Sequence, residues 1–599
     1  MNTIITAVSL LGGLAMFLYG LEIMGDGLKQ GSGEALKNFL GKLTQNVVMG
    51  LITGTLVTAI IQSSTATIVL TVGLIGAGIL NLRQAVSIVM GANIGTTVTA
   101  QLIRLMDIDG SGGSILAFFK PDFLAPLALV AGVILVMFVK KESTKSIGMI
   151  CMGFGILFTG LISMTNAVEP LAESDAFVNI LSYFSDMPVL GIFTGMVLTV
   201  IVQSSSAMVG ILQALSSTGV MTFNLVYPII MGINLGTCVT TAMVCSIGSS
   251  KDAKRTGIVH IVFNTIGTIL FMIAMSIIRS AGGFPNLWDS VVDSGGIANF
   301  QTLFNLITAI VLLPFTNILV WISCKIVKDD PEKEDKYPEL NALDSKLMIS
   351  PTVALAEVGK TVATMAKVAR DNVALSLEQF KGYEEERTET INYYEDRIDR
   401  FTDHVDNYLI ELSRNIETER DNRELNMLMQ CAPNVERIGD YATNFDEQAK
   451  KMHEEGISFY EGEQKEMDII GSVVLEILRL TVEALENGSE TFTRRIEPLE
   501  EVIDDMVLLL KDRHTARLCQ GICSVNAGLV FMDALTHLER AADQCSSIAM
   551  LLLGKNNDAI MKNHHQYLHE LHASGDQSYL AEQANRREQY LVPLENIKL

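Results

Sequence analysis

The sequence predicts an all-α protein in two parts. The first is a polytopic membrane domain of two inverted repeats with re-entrant hairpins. The second is a soluble pair of three-helix bundles. Three observations carry this reading. Seven apolar runs approach or exceed the ~20 residues that a spanning helix needs. Polar motifs inside the apolar half recur at one fixed offset. The composition changes abruptly near residue 328.

The apolar runs lie near residues 4–25, 84–106, 122–139, 146–166, 222–247, 255–280 and 300–327. The first lacks a basic leader and a small-residue cleavage site, so it reads as a retained helix rather than a signal peptide. Two further stretches, 47–80 and 188–218, are apolar but broken by polar clusters and glycine. Each half is too short to cross a bilayer, which predicts hairpins that enter and leave on one side. No Asp, Glu, Lys or Arg lies between Lys42 and Arg83, or between Asp186 and Lys251.

The broken stretches carry the chemistry. Thr58-Ala-Ile-Ile-Gln62-Ser63-Ser64-Thr65 has a twin at Thr199-Val-Ile-Val-Gln203-Ser204-Ser205-Ser206, 141 positions on. The same offset joins Gly91-Ala-Asn93-Ile-Gly95-Thr96 to Gly232-Ile-Asn234-Leu-Gly236-Thr237. Amide and hydroxyl groups in hydrocarbon are costly unless protein, ion or substrate pairs with them. Small residues also let membrane helices pack closely. Close packing alone gives no reason for two motifs to share one offset, whereas duplication of a functional unit does.

Loop charge sets the orientation. Lys29, Lys37 and Lys42, then Lys140, Lys141 and Lys145, then Lys251, Lys254 and Arg255, then Lys325 and Lys328 mark the inner side. Asp107, Asp109, Asp122, Glu169, Glu173, Asp175 and Asp186 mark the outer side. The first hairpin then enters from the cytoplasm and the second from outside, which makes the repeats inverted. Repeat 1 covers about 1–140 and repeat 2 about 146–280, with an extra helix at 300–327.

A polar linker follows at 329–349, then amphipathic helical sequence over 350–599. Of the 44 basic and 67 acidic residues, 29 and 53 follow residue 328, a net of −24 there against +1 before it. That charge excludes a nucleic-acid partner. The tail repeats itself. Glu395-Asp-Arg-Ile-Asp399 returns as Glu500-Glu-Val-Ile-Asp504, and Glu436-Arg-Ile-Gly-Asp440 as Glu539-Arg-Ala-Ala-Asp543. Glu and Asp four apart share a helical face. Glu436, Asp440, Glu539 and Asp543 could therefore hold a divalent metal or iron through carboxylate oxygens. Eight cysteines without a CxxC pair fit a reduced, cytosolic tail.

A helix break at Gln-Ser-Ser frees backbone N–H groups and a positive dipole end for an anion. The preceding half-helix ends in carbonyls that suit Na⁺. With no fixed cation in either motif, a bound anion needs accompanying cations. Gln62, Ser63, Ser64, Thr65, Gln203, Ser204, Ser205 and Ser206 are the expected binding residues. Thr58, Thr199, Asn93 and Asn234 stand beside them.

The paired Gln-Ser-Ser motifs, the Gly-Ala-Asn-Ile-Gly-Thr stretch with its twin, and His260-Ile-Val-Phe-Asn264, echoed at Gln301-Thr-Leu-Phe-Asn305, resemble type II sodium/phosphate cotransporters. The resemblance covers most of 1–328. It implies Na⁺-coupled movement of inorganic phosphate with the hairpin tips as the site. Thr65 stands where that pattern has a third Ser and keeps the hydroxyl. Gln301 stands in the place of His260, so a titrating role does not carry over there. The tail resembles PhoU domains through Glu436-Arg-Ile-Gly-Asp-Tyr-Ala-Thr-Asn444, and less fully through the stretch from Glu539, where Ser547 stands for Asn444. The combination implies a bacterial, multi-pass inner-membrane transporter with a cytoplasmic regulatory tail. Its partners would be phosphate, Na⁺ and the lipid bilayer, with a second copy in a dimer or a cytoplasmic regulatory partner. The rival reading is a membrane-anchored phosphate sensor that does not cycle. An enzyme is disfavoured, because the chain has no Walker motif, nucleophile elbow or HExxH.

Overall fold

A computed structural model describes the chain except residues 1, 42–45, 78, 108–119, 173–186, 247–250, 329–336, 338–339, 341, 556, 558–559, 561–562, 564–565, 569–570, 572–576 and 598–599. The loop residues Asp109, Glu173, Asp175 and Asp186, and Lys42, lie outside the described residues. The described residues are almost wholly helical, with a single isolated bridge between Thr222 and Val291. The chain forms two compact units, Met1–Asp335 with Asp344–Val353, and Lys336–Leu343 with Ala354–Leu599.

The first unit begins with α1 (Asn2–Gly41), the short pair α2 (Val47–Ile61) and α3 (Ser64–Gly76), and α4 (Leu82–Ile103). After α5 (Pro121–Phe138) the pattern returns as α6 (Glu142–Ala172), the short pair α7 (Pro188–Val202) and α8 (Ser205–Ser216), and α9 (Phe223–Ser246). Then come α10 (Lys251–Ser280), α11 (Ser294–Leu312) and α12 (Thr316–Ile326). Among the described residues, seven segments are long and apolar enough to cross a membrane, and they fall on the seven apolar runs. The four short helices have 15, 13, 15 and 12 residues. At 1.5 Å per residue each is about 18–23 Å long, short of the ~30 Å hydrocarbon core.

Burial separates an inner from an outer set. Every residue of α3 from Thr67 to Ile75 is buried, and α4 and α9 are buried over most of their length. By contrast α5 presents Val130, Met137 and Phe138 outward, and α7 presents Val189, Phe193 and Ile201. A helix that is apolar all round fits lipid on one side and protein on the other. Small residues allow the tight inner contacts. A Cβ on Gly91 would lie 2.1 Å from the Leu51 carbonyl oxygen, and on Gly232 2.1 Å from that of Ile192. Gly54 and Gly195 meet the Ile88 and Ile229 oxygens at 2.1 and 2.3 Å in the same way. Each of these pairs is separated by 141 positions, so the duplication extends from the motifs to the helix contacts that support them. Two cross-repeat contacts mirror each other: α3 lies against α9, and α8 lies against α4.

The second unit contains α13 (Pro351–Gln379) from Ala354 onward, α14 (Glu385–Leu412), α15 (Glu419–Glu455), α16 (Glu461–Asn487), α17 (Ile496–Gln520), α18 (Val525–Gly554) and α19 (Gln577–Arg586). Helices α15, α16 and α17 stop at Gly456, Gly488 and Gly521, each left-handed, which closes the last turn without a Cβ clash. Gln379 on α13 donates to Asp446 on α15 at 2.7 Å, and α14 packs along α15. Helices α16, α17 and α18 pack on one another, and α15 joins α18.

Candidate functional site

The two tips are built alike. Helix α2 ends at Gln62, which is left-handed at φ 59°, ψ 20°. Helix α7 ends at Gln203, at φ 58°, ψ 18°. With Phe284 these are the only non-glycine residues at positive φ among the described residues. A left-handed glutamine is strained, and such strain persists only where the surroundings over-determine it. The next residue is extended and caps the following helix. Ser63 Oγ accepts from Ala66 N–H and Ser204 Oγ from Ala207 N–H, both at 3.2 Å.

This cap leaves the first two N–H groups of each new helix, at Ser64 and Thr65 and at Ser205 and Ser206, beyond the reach of intrahelical bonds. Among the described residues no hydrogen bond engages the hydroxyls of these four side chains. Ser64, Ser205 and Ser206 are nonetheless buried. Each tip therefore offers backbone and hydroxyl donors at a positive helix end, with no Lys or Arg in the motif. No described hydrogen bond joins one tip to the other.

The supporting residues are less symmetric. Thr58 Oγ1 donates to Thr67 Oγ1 at 3.0 Å and ties the two arms of the first hairpin. Thr199 donates instead to Gly195 O in its own helix at 2.8 Å, because Met208 occupies the position equivalent to Thr67. Gln62 Oε1 accepts from Thr99 Oγ1 on α4 at 2.7 Å, and its amide donates to Ala59 O. The side chain of Gln203 is exposed and makes no described bond. Asn93 and Asn234 join helices. Asn93 Oδ1 accepts from Asn264 Nδ2 on α10 at 3.4 Å and faces His260 Nε2 at 3.4 Å. Asn234 Nδ2 donates to Asn305 Oδ1 on α11 at 3.3 Å. The His260 and Gln301 motifs thus serve equivalent joints in the two halves.

In the tail, Glu436 and Asp440 on α15 face Glu395 and Asp399 on α14. Partial burial first, then the neighbouring carboxylates, raise all four above the ordinary range. On the second bundle, Glu500 and Asp504 of α17 and Asp543 of α18 bring carboxylate oxygens within 4.8 Å of one another. Burial, then the charges of Asp543 and Glu539, push Asp504 up to about 6. Burial and the adjoining carboxylates drive Glu500 much further. Glu539 turns aside to Lys511 at 2.9 Å. The sequence-chosen set therefore lacked two of the four carboxylates in the first cluster and two of the three in the second. Glu395, Asp399, Glu500 and Asp504 were visible as a repeated motif, and the signal for adding them was the shared four-residue spacing. The donor set is all oxygen, which suits hard cations.

Comparison with known proteins follows the same division. The Na⁺/Pi-cotransporter family matches residues 16–166 and again 160–284, and the PhoU domain matches 362–449 and 467–552. A Salmonella typhimurium protein, YjbB, named for a proposed role in inorganic phosphate export, is 23% identical over 553 residues, 92% of this chain and 98% of that protein. The uncharacterized protein YqeW of Bacillus subtilis is 28% identical over 305 residues, covering 51% of this chain and 93% of YqeW. Human sodium-dependent phosphate transport protein 2B is 33% identical over 103 residues, 17% of this chain and 15% of that protein. The crystal structure of PhoU from Pseudomonas aeruginosa is 19% identical and covers 34% of this chain and 96% of its own, with a TM-score of 0.32. The membrane part of this chain belongs to the Na⁺/Pi-cotransporter family, and its tail carries a pair of PhoU domains.

Proposed function

We propose that residues 1–328 move inorganic phosphate across the cytoplasmic membrane coupled to Na⁺, and that the tail at 350–599 lies in the cytoplasm and regulates that movement. The observation that carries this is the pair of tips with matching dihedral angles, serine caps and uncommitted donors. Phosphate needs many donors. The N–H and hydroxyl groups of Ser64, Thr65, Ser205 and Ser206 supply them without a fixed cation. Na⁺ at the carbonyl ends of α2 and α7 offsets the anion's charge, which makes the ions bind together. The mirrored α3–α9 and α8–α4 contacts support an inverted pair of repeats around one central site.

In the tail, a divalent metal or iron would be held by Glu500, Asp504 and Asp543, and in the first bundle by Glu395, Asp399, Glu436 and Asp440. Bound there, it would neutralise carboxylates that otherwise repel one another. The name of YjbB points to export, while an inward Na⁺ gradient drives uptake. Labelled phosphate flux in proteoliposomes, with the Na⁺ gradient imposed in either direction or absent, separates these. Flux that follows the Na⁺ gradient is expected. Phosphate binding without flux under any gradient would leave the sensor reading in its place.

A further inference from the structure

A short turn just before the tail is built into the base of the first hairpin. Residues Ser345–Ile349 form a single 3₁₀ turn capped by Asp344, whose side chain accepts from Lys346 N–H at 2.9 Å. The turn packs against α3 and belongs to the membrane unit. Leu347 is 0% exposed and Met348 is buried beside it. The contact depends on missing side chains. A Cβ on Gly73 would lie 2.8 Å from Leu347 Cδ2, and on Gly76 2.8 Å from Asp344 Oδ2. One residue, Ser350, separates this turn from α13, the first helix leading into the tail.

Among the described residues, the second hairpin has no such arrangement. The position equivalent to Gly73 is Ala214, which packs in a core cluster with residues of α1, α4 and α6. One residue before it, Gln213 Nε2 donates to Ala100 O at 3.0 Å and to Ser294 O and Oγ at 3.1 and 2.9 Å. The base of α8 is thus bolted to α4 and α11, deep within the membrane unit. The base of α3 rests on a turn that runs straight into α13.

We infer that Leu347 is a positioning residue for the first tip: its wedge against Gly73 sets α3, and through α3 the Ser63–Thr65 cap, so that the tail acts on one hairpin and not on the other. From Ser64 to Gly73 is nine residues of helix, about 14 Å. Being buried all round, α3 moves as a rod or not at all. The inference rests on the tips being the phosphate site, and its test is chosen to be independent of that reading.

The test measures hydrogen exchange and phosphate flux on the full chain in liposomes. Leu347→Ala should raise exchange of the α3 amides about tenfold while α8 stays within twofold of wild type. It should raise the phosphate KM at least threefold with turnover within twofold. Leu347→Met, which keeps the volume, should restore both. A second variant inserts Gly-Ser-Gly-Ser between Ser350 and Pro351, keeping the wedge but slackening its link to α13. It should raise α3 exchange two- to threefold. Equal loosening of α3 and α8 in Leu347→Ala would overturn the positioning role. Unchanged α3 exchange in the insertion variant would overturn transmission from the tail. If wild type shows no flux, the transport reading fails, while the exchange asymmetry still judges the wedge.

Discussion

At the first tip Gln62 accepts a hydrogen bond from Thr99 and donates to Ala59, and Thr58 ties the arms together through Thr67. At the second tip Gln203 stands exposed, and Thr240, 141 positions after Thr99, turns back to Thr237 O at 2.9 Å. Backbone angles at the two tips agree within about 2° in the glutamine and 3° in the capping serine. Duplication has thus kept the backbone geometry and the cap in both halves while the side-chain latches diverged. The shared part is what a donor site needs, and the divergent part decides how firmly each arm is held. On this account the first hairpin is latched at its tip, while the second is held at the base of α8 by Gln213 and leaves only the Gln203 side chain at its tip free to turn.

The largest effects should fall on the shared part. If the tips hold phosphate as proposed, Ser64→Ala and Ser205→Ala would each remove one charge-assisted bond to it, worth about 1.5–3 kcal/mol. Each should raise the phosphate KM roughly tenfold to a hundredfold, measured by flux in proteoliposomes with membrane insertion unchanged. Equivalent tips require the two values to agree within about threefold. A large effect at one tip alone would break the comparison.

The bundles of the tail pose the same question in water. The raised carboxyls of Glu500 and Asp504 hold protons in the folded tail that an unfolded chain releases near pH 4. Their contribution to stability is therefore present in acid and falls as pH rises, for Asp504 up to about 6 and for Glu500 well beyond. Without divalent cation, the second bundle should unfold more easily at pH 8 than at pH 5. Mn²⁺ at a hundred times its dissociation constant should restore about 2.7 kcal/mol at pH 8 and far less at pH 5, read by hydrogen exchange of α17 and α18. Glu500→Gln should remove the Mn²⁺ response while leaving the metal-free protein no less stable. An equal response in the first bundle would show that the two clusters are alike.

A smaller contrast concerns the arms. Thr58→Val loses the buried bond to Thr67 and should cost about 1 kcal/mol, a few degrees in thermal unfolding of the detergent-solubilised protein. Thr199→Val loses only a bond within its own helix and should cost a few tenths. Equal costs would mean that the Thr58–Thr67 tie does not latch the first hairpin.

Much of this was legible in the chain. Charge-free apolar length gave the seven spans, and one offset gave both tips, because hydrocarbon forces backbone groups into helices and leaves polar interruptions conspicuous. Other features depend on side-chain divergence between otherwise equivalent positions. Nothing in the motif says that Gln62 finds Thr99 while Gln203 finds no partner among the described residues, since Thr240 is present and simply bonds elsewhere. Asn93 and Asn234 read as polar groups beside the tips, and only helix rotation decides that they also join α4 to α10 and α9 to α11. The stretch at 329–349 reads as a polar linker. A five-residue turn is too short for any periodicity to mark Leu347 as buried. Glu500 and Asp504 complete a carboxylate cluster only once α17 and α18 are side by side.

The finest test separates the glutamine backbone from its side chain. Glycine takes the left-handed conformation freely, so Gln→Gly relieves strain of about 1–2 kcal/mol but adds about 0.5–1 kcal/mol of unfolded-state entropy. At Gln203, where no described bond is lost, the balance is a gain of roughly 0–1.5 kcal/mol, and the variant should be no less stable than wild type. At Gln62 the bonds to Thr99 and Ala59 go as well, at about 1 kcal/mol each, so Gln62→Gly should be the less stable by about 1–2 kcal/mol. Affinity should run the other way. The Gln62 amide is already committed, whereas that of Gln203 can turn to a bound anion. Gln203→Gly should therefore raise the phosphate KM about fivefold or more, and Gln62→Gly by less. Thermal unfolding and flux on the same two preparations decide it. A destabilised Gln203→Gly with an unchanged KM would make the second glutamine another latch and remove the asymmetry between the tips.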